Sequence, residues 1–314
     1  MRVGIDIGGM TIKIGLVDIQ NKITAKKVIA TQAEKLVAES VVENIAEAVL
    51  ELLRENGLKL EQCESIGVAC PGTVDGKTGV VLYSNNINWE KVPILEILQK
   101  KLPVPMYLAN DADAAALGEV VAGAAKDKKN AVLLTLGTGI GGGVIIDGKI
   151  FSGILRGGCE LGHMVIQYGG KLCTCGRRGC LEAYASATAL MDQAREEVKK
   201  HPESMMNILV GMDVNKIDGR IIFEAEKQGD ESARKVVECY EEYLSTGIAN
   251  IINIFRPEVV ILGGGVSAQE EYLTNALQKK VDAMCFGGSV GDVAKIVISK
   301  IKNDAGIIGA ANLE

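Results

Sequence analysis

Residues 3–17 read VGIDIGGMTIKIGLV, and this stretch decides the fold. Short runs of β-branched residues on either side of two glycines predict a strand over Val3–Ile7, a turn at Gly8-Gly9 and a returning strand over Ile12–Val17. A third strand is predicted over Ile23–Ile29. The chain is therefore expected to open with three consecutive strands.

The rest of the first half alternates helices with strands. Apolar residues repeat at helical spacing from Val37 to Leu53, and Asn56-Gly57 is typical of a left-handed helix end. The elements predicted next are a strand at Ile66–Ala69, a helix at Ile94–Lys101, a strand at Pro105–Leu108 and a helix at Ala112–Ala122. This alternation predicts an α/β fold class.

The second half repeats the opening pattern. Its predicted elements are a strand at Ala131–Leu136, a glycine turn at Gly137–Gly143, a returning strand at Val144–Ile146, a helix at Ala233–Phe255, a strand at Val259–Leu262, a glycine run at Gly263–Gly265, a helix and a strand at Ile296–Ile298. Two halves of the same order predict a duplicated pair of α/β domains with a ligand cleft between them. The glycine-rich and cysteine-rich segment 151–180 has weak periodicity, so something other than an apolar core is expected to hold it.

Composition excludes several classes of protein. The 314 residues are 47% hydrophobic and 24% charged, which is typical of a folded chain, and the net charge of −6 disfavours nucleic acid or an anionic membrane as a partner. No apolar run approaches the roughly 18 residues that a membrane span needs, and Asp6 stands where a signal peptide would be apolar. We therefore expect a cytoplasmic protein.

A cysteine cluster supplies the strongest metal-binding signal. Cys173, Cys175 and Cys180 lie within eight residues, and His163 lies ten residues upstream. Three thiolates and an imidazole make a tetrahedral zinc set, and four protein ligands leave no open position, so the metal would be structural. The alternative is three reduced cysteines and a core histidine.

Glycine turns and acidic residues suggest a nucleotide and a polyol. The turns at residues 6–11 and 136–139 expose backbone N–H groups that suit phosphate oxygens, although each alone is most often just a tight turn. Asp111 follows a predicted strand, where it either faces the cleft or caps the next helix. Near the zinc cluster, Glu160 and Glu182 could contact a polyol. Trp89 is either an apolar face for that ligand or a packing aromatic.

In these motifs the sequence resembles the ROK family of sugar kinases and repressors, in particular its bacterial glucokinase branch. The motifs that carry the resemblance are Gly4–Gly9, Ala69–Gly72, Asn110–Ala112, Leu136–Gly143, Glu160–His163, Cys173–Glu182, Ile261–Gly265 and Asp304–Ala311. The resemblance implies an actin/hexokinase-like (ribonuclease H-like) duplicated two-domain ATPase fold with an interdomain cleft. It places an N-terminal α/β domain at residues 1–116, joined by a C-terminal helix at 302–314, and a larger domain with the zinc loop at 117–301.

The resemblance also implies roles for individual residues. Asp111 corresponds to the catalytic base. The residues that correspond to sugar contacts are Gly72, Asn86, Asn110, Asp111, Glu160, His163 and Glu182. The residues that correspond to the ATP site are Asp6, which would help to hold Mg²⁺, and Gly8, Gly9, Thr11, Gly137, Thr138 and Gly264. The structural Zn²⁺ would lie on His163, Cys173, Cys175 and Cys180.

The function expected from this resemblance is ATP-dependent phosphorylation of a hexose, with glucose as the first choice. N-acetylmannosamine, N-acetylglucosamine and fructose are the competing substrates, and the assembly is expected to be a homodimer or homotetramer. The chain begins at the phosphate-loop strand, so it is expected to lack the DNA-binding segment of the regulator branch.

Two readings from other classes stay open. A sugar-sensing protein without catalysis is favoured by Met10, which stands where the family usually has threonine. A polymerising or chaperone-like ATPase of the same fold is disfavoured, because it would have no use for the zinc loop.

Overall fold

The computed structural model describes residues 1–153, 157–288 and 290–314, which form two compact units. Unit 1 comprises Met1–Leu133, Gly142–Cys159 and Ser299–Glu314, and unit 2 comprises Leu134–Gly141 and Glu160–Ile298. The predicted domains, 1–116 with 302–314 and 117–301, stay a prediction.

Strands and helices alternate along the described residues. The strands are β1 (Arg2–Ile7), β2 (Thr11–Val17), β3 (Ile23–Ala30), β4 (Ser65–Cys70), β5 (Thr73–Asp75), β6 (Val80–Ser84), β7 (Trp89–Val92), β8 (Met106–Asn110), β9 (Ala131–Leu136), β10 (Ile140–Ile146), β11 (Lys149–Ile150), β12 (Val259–Gly263) and β13 (Lys295–Ile298). The α-helices are α1 (Ala38–Glu55), α2 (Ile94–Gln99), α3 (Asp111–Ala122), α4 (Glu182–Ala185), α5 (Ala187–Lys200), α6 (Met205–Leu209), α7 (Gly219–Lys227), α8 (Glu231–Phe255), α9 (Glu270–Met284) and α10 (Ala305–Ala311). Short 3₁₀ turns span Leu60–Gln62, Leu161–His163, Val214–Lys216, Gly265–Gln269 and Lys302–Asp304.

The first five-stranded sheet has the order β3-β2-β1-β4-β8. β1 pairs antiparallel with β2, placing Ile5 opposite Ile14, and pairs in parallel with β4 on its other side. Every residue of β4 is buried, as expected for an interior strand with a parallel neighbour on each side, whereas β3 alternates between half-buried and exposed residues at the edge. The three consecutive opening strands predicted from the sequence are confirmed.

The second five-stranded sheet has the order β11-β10-β9-β12-β13. β10 pairs antiparallel with β11, and β12 pairs in parallel with β13, so the pattern of the first sheet recurs. This recurrence confirms the predicted duplication. The predicted turn over Gly137–Gly143 was wrong at its end, because β10 already begins at Ile140. A side chain at Gly143 would overlap Ala112 of α3, so that glycine serves a close packing contact and not the turn.

Several elements were not predicted. β5, β6 and β7 form a separate three-stranded antiparallel sheet, and helices α4 to α7 fill residues 182–227. The three strands are only three to five residues long, so they carry too few apolar alternations to reveal a period. Trp89 of β7 is 3% exposed and belongs to the core of unit 1, which confirms the packing interpretation of that residue.

Helix α10 fixes the positions of β1 and α3 within unit 1. Its small residues pack against the sheet and against α3 with no room to spare: a side chain at Gly4 would overlap the carbonyl of Ile307, and one at Gly309 would overlap that of Ala114. Close backbone approach of this kind requires glycine. The contact holds the end of β1 and the start of α3, which carry Asp6 and Asp111.

The residues described within the segment 151–180 lack regular structure, as predicted, apart from the 3₁₀ turn at Leu161–His163 and isolated bridges from Val165 to Cys180 and from Leu172 to Arg178. Residues 154–156 of that segment lie outside the described residues. Across the helices that the structure describes, none has both the length and the apolar character to cross a membrane.

Candidate active site and zinc centre

The predicted phosphate loop of unit 1 is the turn between β1 and β2. The Gly8 N–H donates to the Thr11 carbonyl at 2.9 Å, and the Thr31 hydroxyl donates to the Gly8 carbonyl at 2.7 Å. The backbone N–H of Thr31 also donates to the Met10 carbonyl at 3.0 Å. The Met10 side chain is 86% exposed. The shape of this turn therefore depends on backbone groups and on Thr31, and not on the side chain at position 10.

Asp6 lies near the end of β1 and faces a cation of the same hairpin. Lys13 Nζ is 3.0 Å from Asp6 Oδ2, because the two residues are direct cross-strand neighbours. Gly306 of α10 packs against this carboxylate. A β-carbon at Gly306 would lie 2.7 Å from the Asp6 carboxyl carbon, so the position accepts no side chain larger than that of glycine. The sequence analysis did not single out Lys13. The predicted hairpin was a usable signal, because pairing its two strands places Lys13 opposite Asp6.

Asn110 is the N-cap of α3, so the cap falls one residue before the Asp111 considered from the sequence. Asn110 Oδ1 accepts from the N–H groups of Ala112 and Asp113 at 2.9 and 3.3 Å, and its Nδ2 donates to the Gly72 carbonyl at 3.0 Å. Asp111 Oδ1 also accepts from the Ala112 N–H at 2.9 Å. The junction of β8 and α3 thus holds Asp111 at a helix N-terminus, where a negative charge is favoured.

Gly72 and Asn86 lie close to these groups within unit 1. Gly72 has φ +97°, and a side chain there would overlap the Tyr83 carbonyl, so the position requires glycine. Asn86 is exposed in the turn between β6 and β7. A side chain at Gly9 would come within 3.3 Å of the Asn86 carbonyl oxygen, which puts Asn86 beside the phosphate loop.

The four predicted zinc ligands converge in unit 2. The ligand atoms of His163, Cys173, Cys175 and Cys180 all lie within 4.8 Å of one another. Cys173 Sγ is 3.5 Å from His163 Nδ1, and Cys175 Sγ is 3.7 Å from Cys180 Sγ. Zinc–sulfur bonds of about 2.3 Å at tetrahedral angles place two sulfurs about 3.8 Å apart. The spacing fits a tetrahedral zinc ion, and this cluster suggests a zinc site.

A short backbone hairpin brings the cysteines together. The Cys173 N–H donates to the Arg177 carbonyl at 2.8 Å, and the Gly179 N–H donates to the Lys171 carbonyl at 2.8 Å. Gly179 has φ +89°, and a side chain there would overlap the Gln167 carbonyl. The glycine is therefore required for the turn that returns the chain to Cys180.

The thiols of the cluster need a cation if all three are to ionise. Burial, followed by contact with the neighbouring thiols, raises the pKa of Cys180 to about 12, and burial also raises the pKa of Cys173. At exposed Cys175, a hydrogen bond from the Arg177 backbone lowers the thiol pKa. A divalent metal supplies the charge that stabilises adjacent thiolates.

Two acidic residues flank the zinc cluster, and their surroundings differ. Glu160 is exposed and precedes the 3₁₀ turn that carries His163. Glu182 is the first residue of α4, and both of its carboxylate oxygens have partners. Oε1 accepts from the Thr174 hydroxyl at 2.9 Å, and Oε2 accepts from the Ile140 N–H at 3.0 Å. Sequence reasoning missed Thr174, which no motif marks.

The glycine turn of unit 2, like that of unit 1, joins two neighbouring strands through three residues. The Gly137 N–H donates to the Gly139 carbonyl at 3.0 Å, and the Ala187 N–H donates to the Gly137 carbonyl at 2.9 Å. Thr138 at the tip is exposed. Gly264, with φ +84°, packs against the backbone of Leu136, so the three residues predicted for the ATP site in this unit, Gly137, Thr138 and Gly264, are brought together.

The duplicated sheets, each with a glycine turn after its first strand, define the actin- and hexokinase-like class of fold. The family model described as "ROK family" matches residues 2–314, and the chain belongs to the ROK family. Both expectations from the sequence are confirmed.

Three relatives match over nearly their full length. The glucokinase of Thermotoga maritima is 40% identical over 315 residues, covering 99% of this chain and 96% of the relative. A ROK family glucokinase from Streptomyces griseus, solved in complex with glucose and AMPPNP, is 34% identical with a TM-score of 0.81, covering 99% of this chain and 98% of that one. The ROK hexokinase of Thermus thermophilus is also 34% identical with a TM-score of 0.81, covering 98% and 96%.

Proposed function

We propose that this protein is an ATP-dependent hexose kinase that transfers the γ-phosphoryl group of ATP to the primary hydroxyl of glucose. The observation that carries the proposal is the setting of Asp111, which Asn110 and the start of α3 hold at the end of β8. Full-length similarity to glucokinases supports the choice of reaction and of substrate.

Asp111 is proposed as the catalytic base. Phosphoryl transfer passes through a loose transition state, so the protein mainly positions the reactants and screens charge. The Asp111 carboxylate orients the sugar hydroxyl and accepts its proton late in the transfer, as the new phosphorus–oxygen bond forms and the bond to the ADP leaving oxygen breaks. This task needs correct placement more than a strongly raised pKa.

The nucleotide is proposed to bind at glycine turns. The residues proposed for this role are Gly8, Gly9, Thr11, Gly137, Thr138 and Gly264. Their accessible backbone N–H groups suit phosphate oxygens. Asp6 would help to hold Mg²⁺, whose charge neutralises phosphate oxygens. The carboxylate fits that role, since Lys13 occupies only one of its oxygens.

The hexose hydroxyls are proposed to bind polar groups. The residues proposed for this role are Gly72, Asn86, Asn110, Asp111, Glu160, His163 and Glu182. Structural zinc would bind His163, Cys173, Cys175 and Cys180. It would hold His163 directly, and it would hold Glu182 because Glu182 follows Cys180 by two residues. We further propose a homodimer or homotetramer in solution and the domain bounds predicted from the sequence.

A non-catalytic sugar sensor is the second candidate, and one observation favours it. Residue 10 offers no hydroxyl to a phosphate, since it is an exposed methionine. Against this reading, the turn that carries Met10 keeps its backbone hydrogen bonds.

The experiment that separates the candidates is Mg-ATP turnover in a coupled ADP assay. The zinc-replete protein would be tested with glucose, mannose, fructose, N-acetylglucosamine and N-acetylmannosamine, against a blank without sugar. Turnover that depends on glucose supports the proposed glucose kinase. Turnover that depends on another of these sugars supports a kinase with that sugar, and not glucose, as its substrate. Sugar binding without ADP release would favour the sensor.

A further inference from the structure

The Glu182 carboxylate joins two segments of unit 2 that are distant in sequence. Its Oε2 accepts from the backbone N–H of Ile140, which directly follows the glycine turn, at 3.0 Å. Its Oε1 accepts from the Thr174 hydroxyl of the zinc loop at 2.9 Å. Because one carboxylate bonds to both segments, a displacement of the zinc loop at Thr174 would displace Ile140 as well.

The zinc loop fixes this carboxylate from two directions. Thr174 lies between the ligands Cys173 and Cys175, and Glu182 follows the last ligand, Cys180, by two residues. Thr174 is exposed, so its hydroxyl contributes a hydrogen bond and not core packing. Cys173 Sγ also lies 3.6 Å from Glu182 Oε1, but a zinc-bound thiolate has no proton to donate, so the Thr174 hydroxyl is the side-chain donor that removal would take from this oxygen. Thr174 itself is not among the four proposed zinc ligands.

On the other side, the carboxylate packs directly against the glycine turn. A side chain at Gly139 would overlap Glu182 Oε2, so no atom fits between the turn and the carboxylate. The turn is closed by the hydrogen bond from the Gly137 N–H to the Gly139 carbonyl at 3.0 Å. A shift of Glu182 would therefore move the Ile140 N–H and the turn that precedes it.

We propose that Thr174 and Glu182 are positioning residues for the nucleotide, through which the zinc loop sets the shape of the glycine turn at residues 137–140. This inference rests on the proposed function in one respect, namely that the turn binds phosphate. It gives the zinc loop a role in nucleotide affinity in addition to any contact with sugar. Each carboxylate oxygen retains a lone pair, so a sugar hydroxyl can bind Glu182 at the same time.

The test is the affinity for Mg-ADP, measured by calorimetry without sugar. Thr174→Val removes the hydroxyl, Thr174→Ser keeps it, and Thr246→Val is a matched control, because the exposed Thr246 hydroxyl bonds only within α8. Loss of a hydrogen bond to a carboxylate is expected to weaken binding by about fivefold in Thr174→Val. Thr174→Ser and Thr246→Val are expected to bind Mg-ADP like the wild type, and all variants to hold equal zinc.

A second variant probes the same contact from the turn. Gly139→Ala forces the Glu182 carboxylate away and is expected to weaken Mg-ADP binding at least as much as Thr174→Val. Wild-type affinity in Thr174→Val, or failure of Thr174→Ser to restore affinity, would overturn the inference. So would a loss of zinc in Thr174→Val, since the hydroxyl would then support the metal site.

The inference and the proposed function can fail separately. A wild-type protein that binds Mg-ADP but phosphorylates no sugar refutes the kinase, and a weakened Thr174→Val would still support the inference. A wild-type kinase whose Thr174→Val variant binds Mg-ADP normally refutes the inference alone. A wild-type protein that binds no Mg-ADP refutes both.

Discussion

Asn110 Nδ2 donates a hydrogen bond of 3.0 Å to the Gly72 carbonyl, while Oδ1 of the same side chain caps α3. One amide thus ties the loop after β4 to the start of the helix that carries Asp111. Both polar atoms of the side chain are thus bonded to backbone groups, so Asn110 positions the site whether or not it also touches sugar.

Replacing Asn110 is expected to cost stability as well as activity. Asn110→Ala removes the N-cap of α3 and should lower the free energy of unfolding by about 1–2 kcal/mol. Asn110→Asp keeps an acceptor for the helix N–H groups but loses the donor to Gly72, so it should lose less stability while sugar turnover still falls. Urea unfolding of the three proteins measures the difference, and equal stability of Asn110→Ala and wild type would contradict this role.

Replacing Asp111 is expected to reduce catalysis and to leave sugar binding nearly intact. Asp111→Ala should lower turnover by a factor on the order of 10² or more, with a small change in the sugar dissociation constant. Asp282→Ala, which changes an exposed aspartate of α9, is the matched control. Steady-state kinetics and calorimetry give the two quantities, and near-normal turnover of Asp111→Ala would refute the assignment.

Restoring a hydroxyl at position 10 is expected to change little. The turn is held by Gly8, Thr11 and Thr31, so Met10→Thr should change the KM for ATP by less than about threefold. The coupled ADP assay measures this KM. A KM for ATP that falls tenfold or more in Met10→Thr would show that Met10 impairs ATP binding. If the wild type is inactive and Met10→Thr is active, the result would favour the sensor.

Zinc removal is expected to destabilise unit 2. Metal analysis should find about one equivalent of zinc, and chelation should lower the Tm, because the loop at residues 163–180 has no apolar core of its own. Cys175→Ser should show the same loss without a chelator. Less than about half an equivalent of zinc in a folded, chelator-free sample would contradict the metal site.

Glu241 of α8 is expected to make stability depend on pH. Burial raises its pKa from 4.5 to about 7, while Lys280 lowers it and Glu226, Glu238 and Glu242 raise it further. The folded state therefore holds this proton more tightly than the unfolded state. The stabilising contribution is fully present below about pH 4.5 and is lost as the pH rises toward 7.

Glu241→Gln should remove this dependence and stabilise the protein at pH 8 by about 1–3 kcal/mol. Glu231→Gln, which changes an exposed glutamate at the start of the same helix, is the control. Thermal unfolding from pH 5 to pH 8 gives both curves. An unchanged slope in Glu241→Gln would show that its carboxyl does not titrate in this range.

The sequence predicted those features that a local pattern encodes. The strand–turn–strand openings at Gly8-Gly9 and Gly137 follow from β-branched runs around glycine, and the zinc ligands follow from their spacing. The sheet of β5 to β7 escaped because its strands are too short to show a period. The predicted extent of the second glycine turn was wrong. Gly143 lies in β10 and packs closely against Ala112 of α3, a contact that only the tertiary structure reveals.

Site residues divide in the same way. Motifs marked Asp111 and the cysteines. Which of Asn110 and Asp111 caps α3 depends on the exact residue at which the helix begins, and the sequence does not give that boundary to within one residue. The bond from Thr174 to Glu182 joins two side chains whose separation in sequence carries no pattern.

The proposed kinase activity is tested most directly by measuring the formation of glucose 6-phosphate from glucose and Mg-ATP, with an enzyme specific for that product. We expect one glucose 6-phosphate for each ADP formed, no ADP in the blank without sugar, and turnover lowered at least about a hundredfold in Asp111→Ala. ADP formation that is independent of sugar, or no product from the folded and zinc-replete protein, would contradict it.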